Sequence, residues 1–147
     1  MGKNNTTLKA EIIKRIHQKL PPGQPRSYCE LTRAQVAEYL HALRIWAGIT
    51  RKELATITGI DAQIIARLEN PEVAEDLSPA EIRLQDLLMQ TLGAKPEPRR
   101  YPYRLPTEAT QAREYLQRLK AFKKSDRIEN LRANFITEDG RDLFDEV

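Results

Sequence analysis

Little in this chain is equipped for catalysis. Its two histidines, His17 and His41, lie far apart, and Cys29 is the single cysteine. No Ser/His/Asp set, Cys/His pair, phosphate-cradling glycine loop or metal-ligand cluster is legible. Carboxylates are plentiful but fall on helix faces that read as solvated. The expectation is a non-enzyme with no cofactor and no metal. The informative stretch is residues 50–69, TRKELATITGIDAQIIARLE. Its residue types meet the demands of two short helices packed at roughly 90–120° through a tight turn. Ala55 is the small residue where the helices touch. Gly59 tolerates positive φ in the turn. Leu54, Ile60, Ile65 and Leu68 supply the apolar inner faces. Together these are the signature of a helix-turn-helix.

The flanking sequence must position that pair. Thr50 and Glu53 form a capping box, in which each side chain satisfies a free backbone N–H at a helix start. Asp61 can cap the next helix, which Asn70-Pro71 ends. Ser78-Pro79-Ala80-Glu81 is a second capping box with Pro at the first helical position. The helix it opens carries Ile82, Leu84, Leu87, Leu88 and Leu92 and stops at Gly93. Upstream, a helix from about Thr32 shows Val36, Leu40 and Leu43 as its apolar stripe. Tyr39 and Trp46 lie beside it as packing residues, and Gly48 follows as its C′ residue. An N-terminal helix places Leu8, Ile12, Ile16 and Leu20 four apart, capped by Thr6 or Thr7 and ended by Pro21-Pro22 and Pro25. Strand signals are nearly absent, so the fold class reads as all-α.

Residues 94–106, AKPEPRRYPYRLP, hold four prolines and read as an extended linker and domain boundary. Beyond it, Thr107 is expected to cap a helix with Ala109, Ala112, Leu116 and Leu119 near one face. Ser125-Asp126 breaks or restarts that helix, and Ile128, Leu131 and Phe135 continue the stripe. The last ten residues are acidic and expected to fray. The domain reading is therefore 1–30, a basic helix and connector; 31–93, the helix-turn-helix domain; 94–106, the linker; and 107–147, a helical segment with an acidic tail.

From about Val36 to Gly93 the chain resembles the lambda-repressor-like, or Xre/Cro-type, helix-turn-helix family. The resemblance rests on Leu40-His41-Ala42-Leu43-Arg44, Gly48-Ile49-Thr50, Glu53-Leu54-Ala55, Thr58-Gly59-Ile60, Ile64-Ile65-Ala66-Arg67-Leu68-Glu69, and a Pro-led helix ending Leu92-Gly93. It implies a five-helix bundle whose third helix, 62–69, enters the major groove of DNA, usually as a dimer on paired half-sites. By the same resemblance Ala62, Gln63, Ile64 and Arg67 read bases. Gln63 suits adenine, Arg67 suits guanine, and Ala62 or Ile64 suits a thymine methyl. Ile64 becomes a core residue if the helix is rotated. Arg51, Lys52 and Asn70 would meet phosphates, the first two beside a helix N-terminus. Arg44 and Glu69 would form a structural pair tying the first helix to the third. Pro71 stands where the family has Gly, and the loop at 72–76 is acidic.

Charge distribution bears on partners. Net charge is +3, but residues 1–30 carry +4, 31–93 carry −3, 94–137 carry +6 and 138–147 carry −4. Affinity for DNA comes largely from cations set against phosphates. They would have to come from Lys9, Lys14, Arg15 and Lys19, or from the linker with Lys95, Arg99, Arg100 and Arg104. Those linker arginines form either an accessory DNA arm or a plain connector. The apolar face of 107–136 needs a partner, either the helix-turn-helix domain or a second copy. The leading expectation is a sequence-specific, homodimeric DNA-binding regulator, a repressor acting by operator occlusion. The alternative is an antitoxin-like or adaptor protein gripping a protein partner through 107–136. No apolar run approaches the roughly 20 residues of a membrane span, and the N-terminus lacks a signal-peptide pattern. A reducing, cytoplasmic and nucleoid-associated location is expected.

Overall fold

Helix ends are where local chemistry acts most directly in this chain. The computed structural model describes residues 5–21, 29–96, 102–125 and 131–147. Its helices are α1 (Asn5–Lys19), α2 (Arg33–Trp46), α3 (Arg51–Thr58), α4 (Ala62–Leu68), α5 (Pro79–Thr91) and α6 (Ala109–Lys123). Short 3-10 turns cover Pro71–Asp76, Arg132–Phe135 and Phe144–Glu146. The fold is mostly helical, as the periodicity predicts. Thr50 accepts from the Glu53 N–H at 3.1 Å while the Glu53 carboxylate accepts from the Thr50 N–H at 3.0 Å. Thr32/Gln35 and Ser78/Glu81 repeat that reciprocal cap. Asp61 accepts from the Gln63 N–H at 2.8 Å and opens α4. Between α3 and α4, Gly59 adopts φ +75°, a left-handed conformation that costs a Cβ-bearing residue about 1 kcal/mol.

Two expected caps fail. Thr6 and Thr7 lie inside α1, which begins at Asn5. Thr107 precedes the cap position, which Glu108 occupies without a side-chain bond. There the helix start is set by packing, because Ala109 and Ala112 are buried.

α2 is the central helix, buried along most of its length from Val36 to Ile45. α5 and the 3-10 turn Pro71–Asp76 flank it, and α6 lies along it. The inward face of α6 (Ala109, Ala112, Leu116, Leu119) is covered within the chain, each buried Leu contributing about 2 kcal/mol. The open choice between the helix-turn-helix domain and a second copy is thus met inside the chain.

The described parts of the proline-rich stretch, 94–96 and 102–106, pack into the same body as the helices. Lys95–Pro96 (β2) and Pro102–Arg104 (β3) join Cys29–Glu30 (β1) in an antiparallel sheet of order β1-β3-β2. Tyr103 is fully buried at its centre, and its hydroxyl donates to Asp86 on α5. Burial pushes the Asp86 carboxyl up, and the tyrosine bond opposes it. Ala94 and Leu105 join the same core as α1, α2 and α6.

The acidic end is packed rather than frayed. Residues 135–143 make a small hairpin. Leu143 N–H donates to Phe135 O at 2.8 Å, Thr137 N–H to Arg141 O at 2.8 Å, and Gly140 turns the chain. Phe135 and Leu143 are buried, and Phe135 meets Phe144 edge to face at 5.0 Å. The three acids of the hairpin have cationic partners: Asp142 has Arg132 at 2.8 Å, Asp139 has Arg141 at 2.9 Å and Arg15 at 3.3 Å, and Glu138 has Lys19 at 3.6 Å. α6 ends at Lys123. Asp126 and Ile128 lie outside the described residues.

Candidate nucleic-acid interface

The site is built on a buried guanidinium. Arg44, on the last turn of α2, is fully buried. Its Nε donates to Glu69, and Nη2 donates to the other oxygen of that carboxylate at 3.0 Å. Nη1 donates to Ile49 O at 2.8 Å and to Glu146 Oε1 at 2.8 Å, and Nη2 also reaches Glu146 O at 3.2 Å. All five guanidinium N–H groups therefore meet an acceptor, which makes burial of the charge tolerable. Burial pushes the Glu69 carboxyl up, but the Arg44 guanidinium outweighs it and holds the group below its ordinary value. The pairing of Arg44 with Glu69 expected from the sequence is present. It ties α2 to the end of α4.

His41, one turn before Arg44, is buried as well. Desolvation lowers its pKa to about 4, against an opposing pull from Glu69. The ring is neutral at pH 7, so Nε2 carries the proton it donates to Glu146 O. Lys123 Nζ donates to Phe144 O at 2.8 Å and to Val147 O at 3.2 Å. Residues 144–147 are thereby held against α2 and α6.

The outer surface of the α3–α4 pair carries the residues singled out for DNA. Gln63 is exposed, Ile64 is 39% exposed and Ala62 is partly covered. Ile64 is therefore not a core residue; Ile65 takes that place, fully buried. Lys52 is exposed near the start of α3. Arg67 stands one turn beyond Gln63 but is engaged, its Nε donating to Glu81 at 2.6 Å. Arg51 is engaged too, donating from Nε to Glu69 at 3.0 Å with its side chain 26% exposed. Asn70 is exposed and spends its Oδ1 capping the turn Pro71–Asp76, accepting from Glu72 N–H at 3.0 Å. Arg104 is exposed on β3, while Arg99 and Arg100 lie outside the described residues.

No protein-family model, curated protein or solved structure matches this chain.

Function must therefore be read from the site's own chemistry. Gln85, Glu146 and a second role of Glu81 add to the site beyond the expected residues. Gln85 is fully buried on α5 and donates from Nε2 to Leu68 O at 2.9 Å, fastening the end of α4. Its spacing from Leu88 and Leu92 marks the inward face, so a buried polar role was detectable. Glu81 gives its carboxylate both to the Ser78 cap and to Arg67. Glu146 meets Arg44 and α3 across about a hundred residues of chain, and nothing in its local sequence announces that. Among the described residues no helix is long and apolar enough to cross a membrane.

Proposed function

We propose that this chain is a sequence-specific double-stranded DNA-binding regulator, a repressor acting by operator occlusion, built on a lambda-repressor-like helix-turn-helix bundle of α2 to α5. One observation carries the reading. α3 and α4 are joined through Gly59 in a left-handed conformation, and the first turn of α4 turns Gln63 and Ile64 outward while Ile65 and Leu68 anchor it. An amide able to pair with adenine and an apolar side chain able to meet a thymine methyl then stand together at the end of a rigid helix. Arg67 adds a guanidinium for guanine once it exchanges Glu81 for a base. Lys52 and Arg51 open α3, where a phosphate is favoured by the helix N-terminus. Dimerisation belongs to the proposal because one half-site offers little contact. The inward face of α6 is already covered within the chain, whereas Leu87 on α5, 44% exposed, is an apolar point where two copies can meet.

The second reading is an adaptor or antitoxin-like protein. It is favoured by the occupied state of Arg51 and Arg67 and by the acids at 72–76, which leave few uncommitted cations on this face.

Selection of bound duplexes from a random pool, with full-length protein near physiological salt, separates the two. The expected result is an inverted repeat with half-site centres about one helical turn apart. A folded protein that enriches no sequence would overturn the DNA reading and favour a protein partner.

A further inference from the structure

A single oxygen, Glu146 Oε1, accepts from both the backbone N–H of Arg51 at 2.7 Å and Arg44 Nη1 at 2.8 Å. The first donor is the opening residue of α3, at the positive end of the helix dipole. The second belongs to a fully buried guanidinium. An unpaired helix-start N–H and a fixed guanidinium aimed at one point make an anion cradle. Here the anion is a carboxylate from the chain's own acidic end. The same segment also meets cations around α3 and carries Arg141 of its own. Asp139 holds Arg15 at 3.3 Å and Arg141 at 2.9 Å, and Arg141 and Arg15 both reach Glu53 on α3. Glu138 lies 3.6 Å from Lys19.

We infer that residues 138–147 are an autoinhibitory strap, and that Glu146 occupies the cradle a DNA phosphate takes when α3 and α4 dock. This rests on the DNA-binding reading above. The strap holds negative charge where a phosphodiester must come, so duplex and strap compete for one cradle. Glu146 is suited to leave. Its side chain is 22% exposed, whereas Glu69, the other carboxylate on Arg44, is 2% exposed. Arg44 keeps Glu69 and Ile49 O when Glu146 departs, and the phosphate oxygens replace the two acceptors lost, Glu146 Oε1 and Glu146 O. Specificity stays with α4; the strap sets how much duplex is needed to engage it.

The test uses the full chain and three proteins: wild type, Glu146→Gln and Asp142→Asn. Glutamine keeps a carbonyl acceptor for Arg44, so folding is retained and is checked by the melting temperature. Asp142 lies in the same segment, paired with Arg132 away from the cradle, and loses the same charge. Binding to a mixed-sequence duplex at low salt is expected to tighten by roughly three- to tenfold for Glu146→Gln, the scale of one partly exposed charged hydrogen bond. Asp142→Asn should stay within about twofold of wild type, as expected for a remote surface change. Equal tightening by both would show a net-charge effect and overturn the inference. Unchanged affinity for Glu146→Gln, with wild type binding, would make Glu146 a strut and leave the DNA reading intact. No binding by any of the three would remove both. Amide exchange on the wild type needs no variant: the Glu146 N–H, bonded to Leu143 O at 2.9 Å, should exchange faster with saturating duplex. Equal protection would overturn the competition.

Discussion

Replacing Arg44 by methionine tests the buried centre most directly. The substitution keeps the aliphatic volume and deletes five donated hydrogen bonds. Glu69 is left with Arg51 alone, whose side chain is 26% exposed and holds it at 3.0 Å. Ile49 O loses its partner in the interior. Breaking one side of a buried pair costs about 3–5 kcal/mol, because the remaining charge is stranded. The cost should also depend on pH. In the wild type the Glu69 carboxyl is held below its ordinary value. Its contribution to stability is therefore present above the unfolded pKa and lost as pH falls through the folded one. In Arg44→Met, burial prevails and lifts the carboxyl above its ordinary value. Stability is then greatest at low pH and declines as pH rises. The difference between the two proteins should widen as pH rises through and above the ordinary carboxylate range. Urea unfolding followed by circular dichroism reads it, with the m-value as a check that the unfolded state is unchanged. The double variant Arg44→Met/Glu69→Leu should be more stable than Arg44→Met alone, since no stranded carboxylate remains. A loss below about 1 kcal/mol, or one that does not change with pH, would refute the reasoning and place the pair among exposed bridges.

Other expectations follow from the same geometry. The His41 pKa falls from 6.5 to about 4 on folding, so the unfolded chain binds the proton first and stability drops as pH falls between those values. The loss reaches up to roughly 3 kcal/mol. Glutamine at position 41 should remove most of that slope in urea titrations, and an unchanged slope would assign it to other groups. Gly59→Ala should cost about 1 kcal/mol, as backbone strain alone, since a Cβ there meets nothing within 4 Å; thermal melting reads it, and a loss several times larger would mean that the turn is packed. Gln63→Ala with Arg67→Ala should abolish base preference in a duplex competition. Each should move stability by no more than about 0.5 kcal/mol, because both side chains are exposed. Collapse of the fold would make them structural.

What the sequence makes legible is local. Thr50 with Glu53, Ser78 with Glu81, Asp61 and Gly59 each act within four residues, and each adopts the geometry its spacing predicts. Side-chain periodicity likewise places Ile65, Leu68 and Leu88 in the core. The Arg44–Glu69 pair was legible only through resemblance, because a separation of 25 residues leaves no local trace. The misreadings come from long-range pairing. Composition marks 94–106 as a linker, but Tyr103 finds Asp86, and two short strands use the extended backbone that proline favours. Composition marks 138–147 as frayed, but Leu143 and Phe144 supply apolar anchors and each of four acids finds an arginine or lysine elsewhere. Charge counts cannot say which cations are already spent. That is why Arg67 and Arg51 looked more available than they are.

The bond set of Arg44 also has an order in time. A chain leaving the ribosome completes α2, α3 and α4 long before residue 146 emerges. Through that interval a guanidinium destined for the interior has Glu69 and Ile49 O but lacks both acceptors of Glu146. The partial fold is therefore expected to leave this end of α2 open to water. The later arrival of Leu143, Phe144 and Glu146 supplies apolar cover and the missing acceptors together. A nascent chain arrested near residue 130 should show native helix content and protease-sensitive joints around residues 47–51. A chain that extends through residue 147 should have them closed.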